Sequence, residues 1–445
     1  MRILLISYFF PPYNTIGAVR TGKMAKYLAK MGNEVYVLSA KNQPLQPSLS
    51  LEIPHDQVAY TNWMDVNKPV QFLLGGRAKI ADRGYIPPKG ILRKTFKFFG
   101  HSYKTLVNFP DGQVGWVPYA IKEGARKIRE WQPDIIYASA MPYSSLLIAK
   151  KLSTKFNIPW VAEFRDLWVD YQYYHYGFLR KKLEAWLERS TLITASGYIT
   201  VSEPLAETLR KKYNSKPTKV IMNGFDLEDY PEENKRDQET ISSQDHVLRI
   251  LYTGMVYEGK EDPSPLFKAL HLLGDNGDHV RVVFYGRYLD TVRELAKRYH
   301  VEHLIEINSP VSYTESIQLQ CNADVLLLLL WNDPMEKGIY SGKLFEYIGA
   351  RRPILAIGSE DNVAADLVRE RNVGVVQNDE MRIAELLLEW IKQKQIAPIP
   401  DKPIEAAMGL SREVQAEQLQ QFLRSVLQMK ASVKQLAQHG VVPNE

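Results

Sequence analysis

Residues 341–347, Ser-Gly-Lys-Leu-Phe-Glu-Tyr, bring small residues, a cation and a carboxylate together at the start of a predicted helix. Small residues at such a turn leave backbone N–H groups open, and the helix dipole adds roughly half a positive charge. Together with the mobile cation of Lys343, Ser341 and Gly342 could hold a diphosphate without a metal ion. Glu346, one turn further along, could accept hydrogen bonds from both hydroxyls of a ribose. A solvated helix start with a surface lysine and glutamate is the alternative, and the spacing alone favours it.

A second candidate loop covers residues 8–20, between the first predicted strand and a helix, and it contains Gly17. A glycine there permits close backbone approach, which suits an anion or a sugar at the carboxyl edge of a parallel strand. An ordinary strand-to-helix turn fits the spacing equally well. Leu344 follows Lys343 where a Walker sequence has Ser or Thr, which disfavours a phosphoryl-transferring ATPase. No GxGxxG occurs either, which disfavours a nicotinamide or flavin enzyme.

Short apolar runs rich in β-formers alternate with helical patterns in two series along the chain. Most runs are continuous, as expected for parallel strands that are covered on both faces. The predicted strands are 3–7, 34–39, 134–139, 160–164, 198–202 and 219–222, then 249–253, 281–285, 304–307, 324–330, 353–357 and 373–376. The predicted helices include 22–31, 117–131, 144–156, 179–196, 204–213, 264–273, 289–299, 313–321 and 342–349. This order predicts an α/β fold with two Rossmann-like domains in tandem, each built on a parallel sheet.

The domain boundary is predicted after Phe225, because a strand ends there and the polar stretch 228–245 has no apolar periodicity. We therefore expect an N-terminal domain at 1–225 and a C-terminal domain at 226–410. Residues 411–445 form a predicted amphipathic helical tail that would cross back and pack on the N-terminal domain. A helix that mediates dimerisation is the alternative for this tail.

The net charge of +5 over 445 residues divides unevenly at the predicted boundary. Residues 1–225 hold 32 basic and 16 acidic side chains, or +16, and residues 226–445 hold 24 and 35, or −11. A basic half favours an anionic acceptor or membrane surface. Residues 89–106, which mix cations with Phe and Leu, suit a helix on an anionic membrane, although a solvated basic helix is the alternative. No known nucleic-acid module appears, so nucleic acid is not an expected partner.

The single cysteine, Cys321, allows no internal disulfide and lies beside an apolar run, which indicates a buried thiol in a reducing cytoplasm. The longest apolar run, 325–331, is well short of the ~20 residues that a membrane span needs. Pro11 and Pro12 interrupt the apolar N-terminus, which favours a first strand over a signal peptide. We expect a cytoplasmic protein whose contact with the inner face of the membrane, if any, is peripheral.

Five motifs, in order along nearly the whole chain, resemble a family 4 glycosyltransferase of the GT-B fold. They are the 8–20 loop; Ile199-Thr200-Val201-Ser202 before a helix; residues 219–226, Lys-Val-Ile-Met-Asn-Gly-Phe-Asp; Leu251-Tyr252-Thr253-Gly254 with Lys260; and residues 342–350 ending in Pro353. The resemblance implies two facing Rossmann-like domains, with a nucleotide-sugar in the C-terminal one and the acceptor in the N-terminal one. It also implies retention of anomeric configuration and no metal or cofactor, with a UDP- or GDP-linked sugar as donor substrate.

The same resemblance assigns roles to individual residues. Glu346 matches the second glutamate of the family's Glu-x7-Glu motif and would bind the ribose, and Lys260 matches the phosphate-binding lysine. Gly17 matches the glycine whose backbone faces the donor phosphates. The loop beside the diphosphate is matched by Ser341, Gly342 and Lys343. Fixed cations and amides aimed at a departing diphosphate are the main source of barrier reduction, so Lys260 and Lys343 are expected to be catalytic.

Two positions depart from the family pattern. The first glutamate of Glu-x7-Glu would fall at Gly338, and Glu336, two residues early, is the open candidate for its replacement. The arginine that usually follows the phosphate-loop glycine is Met255 in this chain. Other cations would then carry the phosphate charge, namely Lys260, Lys343 and Arg287.

Asp166 ends another predicted strand, roughly where related transferases carry a His-Asp or similar polar pair near the acceptor, with Arg165 in place of the histidine. We hypothesise that Asp166 orients or deprotonates the acceptor hydroxyl. An Arg165–Asp166 ion pair that caps the strand end is the alternative. The aromatic run 171–176 could stack on acceptor sugars, form a lid or pack in the core.

The predicted function is a retaining, metal-independent glycosyltransferase of the hexosyltransferase type. It would move a sugar from a nucleotide diphosphate to a hydroxyl of a glycan or lipid-linked saccharide, in the synthesis of a cell-surface polysaccharide. One alternative is a noncatalytic partner subunit that kept the fold, favoured by Met255 and Gly338. The other is a GT-B nucleotide-sugar epimerase, for which the sequence offers no clear acid–base cluster. The sequence leaves the base, the donor sugar, the linkage and the oligomeric state open.

Overall fold

The computed structural model describes residues 1–45, 47–68, 107–171, 174, 176–231, 246–333, 335 and 337–438. The basic segment 89–106, Glu336 and most of the predicted linker lie outside the described residues. The chain divides into two compact units: unit 1 contains residues 1–200, 205–220 and 417–445, and unit 2 contains residues 201–204 and 221–416. The predicted domain bounds stay predictions, because compactness alone does not establish that either part folds independently.

Unit 1 is built on a parallel sheet that has seven strands among the described residues, in the order β3-β2-β1-β4-β5-β6-β7. The strands are β1 Arg2–Ile6, β2 Glu34–Ala40, β3 Val58–Thr61, β4 Ile135–Ala140, β5 Trp160–Phe164, β6 Gly197–Thr200 and β7 Thr218–Val220. Every residue of β4 and β5 is buried, which is why these strands appear in the sequence as continuous apolar runs. The short strand β3 was not predicted.

The helices that follow these strands are α1 Ile16–Lys30, α2 Val117–Trp131, α3 Ser144–Phe156, α4 Phe178–Leu192 and α5 Glu203–Lys212. The predicted start of α1 at Gly22 was wrong, since the helix begins six residues earlier, at Ile16. Thr15 caps it by accepting a hydrogen bond from the Ala18 backbone N–H over 3.1 Å. Gly17 therefore lies inside the first helical turn rather than in a loop.

Unit 2 repeats the design with a parallel sheet in the order β10-β9-β8-β11-β12-β13 among the described residues. Its strands are β8 Leu248–Thr253, β9 Val280–Tyr285, β10 Ile305–Asn308, β11 Val325–Leu329, β12 Ile354–Ile357 and β13 Gly374–Val376. Its helices are α6 Ser264–Leu272, α7 Asp290–Arg298, α8 Tyr313–Asn322, α9 Gly342–Ala350, α10 Val363–Glu370 and α11 Glu380–Ile396. Cys321 is buried in this unit, as expected. The two sheets confirm the predicted α/β fold with two Rossmann-like parts.

The last helix, α12 Arg412–Gln438, packs on unit 1 from residue 417 onward. The Phe422 ring fills the space beside Gly197, where an added Cβ would lie 2.9 Å from the ring. Further along, Lys430 Nζ donates to the Asn157 backbone carbonyl over 3.0 Å. The apolar face predicted for the tail is thus used within the chain. Among the described residues, none of the helices is long and apolar enough to cross a bilayer.

Both sheets reverse their strand order at one place, between β1 and β4 in unit 1 and between β8 and β11 in unit 2. In open α/β sheets, the loops at the carboxyl ends of the strands separate at such a switch point and leave a crevice for ligands. The candidate residues have to be judged by their position relative to these two switch points.

Candidate functional site

In unit 2, the ends of the neighbouring strands β8 and β9 are each followed by a glycine that leaves no room for a side chain. Gly254 has φ +121°, and a Cβ added there would lie 2.6 Å from Lys343 Cε. A Cβ on Gly286, which follows β9, would lie 2.0 Å from the Gly254 carbonyl oxygen. Gly254 thus lets the Lys343 side chain lie directly against the end of β8, and Gly286 lets the main chain after β9 approach Gly254 closely. The sequence motif that ends in Gly254 and the one that contains Lys343 therefore meet in space.

Lys343 is half-buried at the start of α9, and its Nζ donates to the Tyr252 hydroxyl over 2.7 Å. Tyr252 in turn donates to the Met255 carbonyl over 2.6 Å, and its oxygen is 3.2 Å from Glu261 Oε2. Burial lowers the pKa of Lys343, and the charges of Glu261 and Glu346 offset part of that effect. The ammonium is thus positioned by a tyrosine and held where water solvates it poorly, which strengthens its attraction for an anion.

The first turn of α9 adds backbone donors beside this ammonium. Ser341 occupies the N-cap position and makes no side-chain capping hydrogen bond. In most helices a capping side chain satisfies one of the first N–H groups. The start of α9 therefore presents amides and the positive end of the helix dipole next to Lys343, the arrangement that favours a bound phosphate.

Glu346 lies one turn into α9 and is half-buried. Its Oε2 accepts from Gln320 Nε2 over 3.2 Å, and its backbone carbonyl accepts from the Tyr230 hydroxyl over 2.8 Å. Burial raises the pKa of the Glu346 carboxyl, whereas the hydrogen bond from Gln320 and the charges of Arg412 and Lys343 act in the opposite direction. The carboxylate is fixed but not fully paired, so it can accept further hydrogen bonds.

Gln320 connects Glu346 to the end of β8, and nothing in the sequence singled it out. The side chain is fully buried on α8, and its Nε2 also lies 3.2 Å from Thr253 Oγ1 and 3.1 Å from Ser316 Oγ. A buried amide with several partners holds its neighbours in one arrangement. Gln320 therefore positions the Glu346 carboxylate without being part of any motif in the sequence.

Substituting Gln320 with leucine is expected to weaken nucleotide binding about tenfold, since it removes a hydrogen bond to a charged group worth ~1.5–3 kcal/mol. It should also raise the pKa of Glu346 further, so the loss of binding on acidification would begin at a higher pH than in the native chain. Nucleotide affinity measured as a function of pH tests both effects. Ser316→Ala is the matched control, because it removes a Gln320 partner without touching Glu346. Equal pH profiles for Gln320→Leu and the native chain would contradict the positioning role.

Lys260 and Arg287 lie at the same edge of the unit 2 sheet. Lys260 is half-buried, with its Nζ 3.8 Å from the centroid of the Trp331 ring, and its backbone carbonyl accepts from the Asn332 N–H over 2.9 Å. It is therefore attached to the segment that follows β11, on the other side of the switch point from β9. Arg287 is exposed directly after Gly286. The structure thus brings Ser341, Gly342, Lys343 and Glu346 together around β8, with Lys260 after β8 and Arg287 after β9.

The structure also shows the contacts of Met255 and Gly338, the two positions that depart from the family pattern. Met255 is partly exposed, and its backbone, rather than a charged side chain, takes part in the Lys343–Tyr252 network. The Gly338 carbonyl accepts a hydrogen bond from Ser202 Oγ over 2.6 Å, so this position contributes main chain only. Glu336, the candidate replacement for the missing glutamate, lies outside the described residues.

In unit 1, Gly17 makes room for Arg165. A Cβ added to Gly17 would lie only 2.1 Å from Arg165 Nη1. The guanidinium is fixed there, since its Nε and Nη2 donate to the carbonyls of Ala140 and Met141 over 2.9 and 2.8 Å. The Arg165–Asp166 ion pair, which was the alternative interpretation of these residues, does not form among the described residues, where Arg165 donates to these backbone carbonyls instead. The role of Gly17 toward a donor phosphate stays a prediction.

Asp166 follows β5 and is half-buried. Burial raises the pKa of its carboxyl, and the nearby charge of Arg165 lowers it. No hydrogen bond reaches the Asp166 carboxylate within the part of the chain that the structure describes. A carboxylate with a raised pKa and open acceptor positions has the properties of a general base, although its role stays a prediction.

Arg20 and Glu163, which are close in the sequence to Gly17 and Arg165, form a fully buried ion pair. This pair was not identified from the sequence. Arg20 of α1 and Glu163 of β5 are 0% exposed, and Arg20 Nη2 is 2.8 Å from Glu163 Oε1. Ser139 Oγ donates to the other carboxylate oxygen over 2.6 Å. The pair holds the start of α1 to the ends of β4 and β5, and thereby positions Gly17 and Arg165. The sequence feature that could have indicated this pair is the glutamate inside the otherwise apolar strand β5.

Comparisons with known proteins found a matching family model and solved structures of similar fold. Residues 17–229 match the family model described as Glycosyltransferase Family 4, and no curated protein sequence matches the chain significantly. Sucrose-phosphate synthase from Thermosynechococcus elongatus is 15% identical over 96% of this chain and 99% of that chain, with a TM-score of 0.62. The Anabaena protein HepE in complex with UDP and glucose is 15% identical over 96% and 100%, also with a TM-score of 0.62. A glycosyltransferase from Rickettsia africae is 16% identical over 96% and 98%, with a TM-score of 0.59.

Proposed function

Since residues 17–229 belong to Glycosyltransferase Family 4 and both sheets are those of a GT-B glycosyltransferase, we propose that this protein transfers a sugar from a nucleotide-diphosphate sugar to a hydroxyl group. The observation that carries the proposal is the placement of Lys343 and Glu346 in the first turns of one helix at the switch point of unit 2. A cation, free helix amides and a carboxylate at this spacing suit a diphosphate with an attached ribose.

In the proposed reaction, the main role of the protein is to stabilise the negative charge that develops on the leaving group. The bond between the anomeric carbon and the diphosphate breaks, the acceptor oxygen forms the new bond, and negative charge develops on the departing diphosphate. Lys343 and the α9 amides, with Lys260 and Arg287 at the same sheet edge, would stabilise that charge without reorganising. Because these groups supply the positive charge, we propose that transfer needs no metal or other cofactor. Retention of anomeric configuration is part of the proposal and rests on the family resemblance.

The donor is proposed to be UDP- or GDP-linked. The Anabaena neighbour is described in complex with UDP and glucose, which supports a nucleotide site of this kind in the same fold. A hydroxyl of a glycan or lipid-linked saccharide is the proposed acceptor, as in the assembly of a cell-surface polysaccharide. We place the reaction in the cytoplasm with peripheral contact at the inner face of the membrane, supported by the +16 of residues 1–225.

A thermal-shift screen with UDP, GDP, ADP and TDP tests the donor site. One of the four is expected to raise the melting temperature, since ligand at 100 times its Kd stabilises a protein by about 2.7 kcal/mol. Glu346→Ala should abolish most of that shift. Glu389→Ala, at an exposed position on α11, should leave it intact. If no nucleotide produces a shift, the transferase proposal fails, and a noncatalytic partner subunit, favoured by Met255 and Gly338, replaces it.

Replacing Asp166 with asparagine is expected to lower turnover about 10²–10⁴-fold, the usual contribution of a general base. The nucleotide-induced thermal shift should remain, because Asp166 lies in unit 1. Because burial raises the pKa of Asp166, the native rate should fall as the pH drops through a value above that of an ordinary aspartate. Normal turnover in Asp166→Asn with intact donor binding would remove this assignment.

A further inference from the structure

Helix α4 buries three of its six charged side chains and exposes four of its large apolar ones. The side chains of Arg180, Glu184 and Glu188 are 5%, 3% and 3% exposed. On the opposite face, Leu179 and Trp186 are 77% and 69% exposed. A helix on the surface of a globular protein ordinarily has the reverse arrangement. The outward face therefore needs its own explanation.

The inward face is satisfied and fixes the rotation of the helix. Arg180 Nε lies 2.5 Å from Glu184 Oε1, and Trp168 Nε1 donates to the other oxygen of Glu184 over 3.2 Å. Glu188 accepts from Lys212 Nζ over 2.7 Å. It also accepts from the Tyr213 hydroxyl and the Val169 backbone N–H. Rotating α4 to bury its apolar face would expose or break these buried pairs, and an unpaired buried charge costs several kcal/mol.

The exposed apolar side chains form one stripe along the helix, which we call the outer face of α4. Its members and exposed fractions are Phe178 70%, Leu179 77%, Leu183 59% and Trp186 69%, with Ile193, the C-cap residue directly after the helix, at 61%. The spacing of Leu179, Leu183 and Trp186 is i, i+4, i+7, so these side chains lie on one side of the helix. From Leu179 to Ile193 the stripe is about 21 Å long at 1.5 Å per residue. Monomeric soluble proteins rarely leave such a contiguous apolar surface in water.

The exposed charged side chains of α4 are all positive. Lys181, Lys182 and Arg189 are exposed, whereas the acidic residues of the helix, Glu184 and Glu188, are buried. Lys182 Nζ lies 4.5 Å from the centroid of the Phe178 ring, so the cation borders the apolar stripe directly. Apolar side chains with a tryptophan and a border of cations match the boundary between acyl chains and anionic headgroups. A second copy packed face to face would place the same cations against one another, which is unfavourable.

We propose that the outer face of α4 is the surface by which this protein lies on an anionic lipid bilayer. The apolar side chains would enter the boundary between headgroups and acyl chains. Each neighbouring Lys or Arg would add electrostatic attraction to the anionic surface. The inference deepens the proposed function, since it supplies the membrane contact that a lipid-linked acceptor requires. Its test needs neither donor nor acceptor.

Co-sedimentation of the full chain with vesicles tests the proposal. Binding is expected to vesicles of phosphatidylcholine that contain phosphatidylglycerol, and to decrease with salt. Leu179→Ser/Leu183→Ser/Trp186→Ser should weaken it about tenfold or more, since all three apolar side chains that would be partly buried in the bilayer are lost. Lys181→Gln/Lys182→Gln should weaken binding less and flatten its salt dependence. Ile396→Ser, which changes an 88% exposed side chain on α11, is the matched control and should bind normally.

Two results would overturn the proposal. Undiminished vesicle binding by the triple variant would mean that another part of the chain makes the contact. Absence of vesicle binding by the native chain, with an oligomer that the triple variant dissociates in light scattering, would assign the outer face to a second copy. Unchanged melting temperatures and far-UV circular dichroism spectra check that the variants fold, as expected for exposed positions. A nucleotide-induced thermal shift that is retained in the triple variant separates this test from that of the transferase activity.

Discussion

Replacing Lys343 with methionine is expected to lower kcat/KM about 10²–10³-fold, the usual effect of removing one group that stabilises developing charge. The structure gives the reason. The ammonium lies at the start of α9, is held by the Tyr252 hydroxyl at 2.7 Å, and is half-buried against Gly254. Water solvates it poorly, so it gains most when a diphosphate leaves beside it.

The pH dependence of this effect has a definite sign. Burial lowers the pKa of Lys343, and only the protonated amine can stabilise a departing diphosphate. Activity should therefore fall as the pH rises through a value below that of an ordinary lysine. In Lys343→Met this alkaline limb should disappear along with most of the activity.

Two variants make the Lys343 experiment specific. Tyr252→Phe keeps the cation but removes the hydroxyl that positions it, so an intermediate loss is expected. Lys297→Met removes an exposed lysine from α7 in the same unit and should have no effect on steady-state kinetics. A change of less than about threefold in Lys343→Met, or ~0.6 kcal/mol, would contradict the assigned role.

Replacing Arg20 with methionine is expected to destabilise unit 1 by about 3–5 kcal/mol, because it leaves Glu163 buried without a counter-charge. Both side chains are 0% exposed, and their closest atoms are 2.8 Å apart. Equilibrium denaturation, followed by a probe of unit 1, measures the loss. The double variant Arg20→Met/Glu163→Leu should be more stable than Arg20→Met, since no isolated charge remains. Additive losses in the double variant would show that the two residues do not act as a pair.

The stability of the native chain and of Arg20→Met should respond differently to acid. Burial alone would raise the pKa of Glu163, but its pairing with Arg20 and the hydrogen bonds of the site lower the pKa overall. The pair therefore stabilises the native fold above the unfolded-state pKa, and this contribution is lost as pH falls through the folded-state pKa. In Arg20→Met the pKa of Glu163 should instead be raised, so acidification relieves the penalty. The stability difference between the two proteins should narrow as the pH falls.

Much of the fold could be predicted from the sequence, for a simple reason. Parallel strands covered on both faces need continuous apolar runs, so twelve of the strands were recognisable one by one. The edge strand β3 was missed, because it is short and three of its four residues are only partly buried. The start of α1 was also missed, since Gly17 suggests a loop until the Thr15 cap and the Arg165 side chain are seen.

For the candidate site, too, some features follow from the sequence and others do not. Lys343 and Glu346 are one turn apart on one helix, so their proximity follows from helical geometry. The contacts that position them do not, because Tyr252 and Gln320 come from distant parts of the chain. Tyr252 lies in a recognised motif that does not indicate its contact with Lys343, and Gln320 lies in none. The Arg165–Asp166 pair, which the sequence left open as an alternative, does not form among the described residues, where Arg165 donates to the backbone carbonyls of Ala140 and Met141.

The sequence by itself determined the α/β class, the two Rossmann-like parts and the glycosyltransferase resemblance, because each depends on local periodicity or on short motifs. Only the tertiary structure decided which groups are paired, buried or left open. In the structure, Lys343 packs against Gly254, Arg20 forms an ion pair with Glu163, and the apolar face of α4 is exposed. Those outcomes depend on contacts between residues far apart in the chain, and the burial of charge that follows from them sets the pKa values and the exposed surfaces.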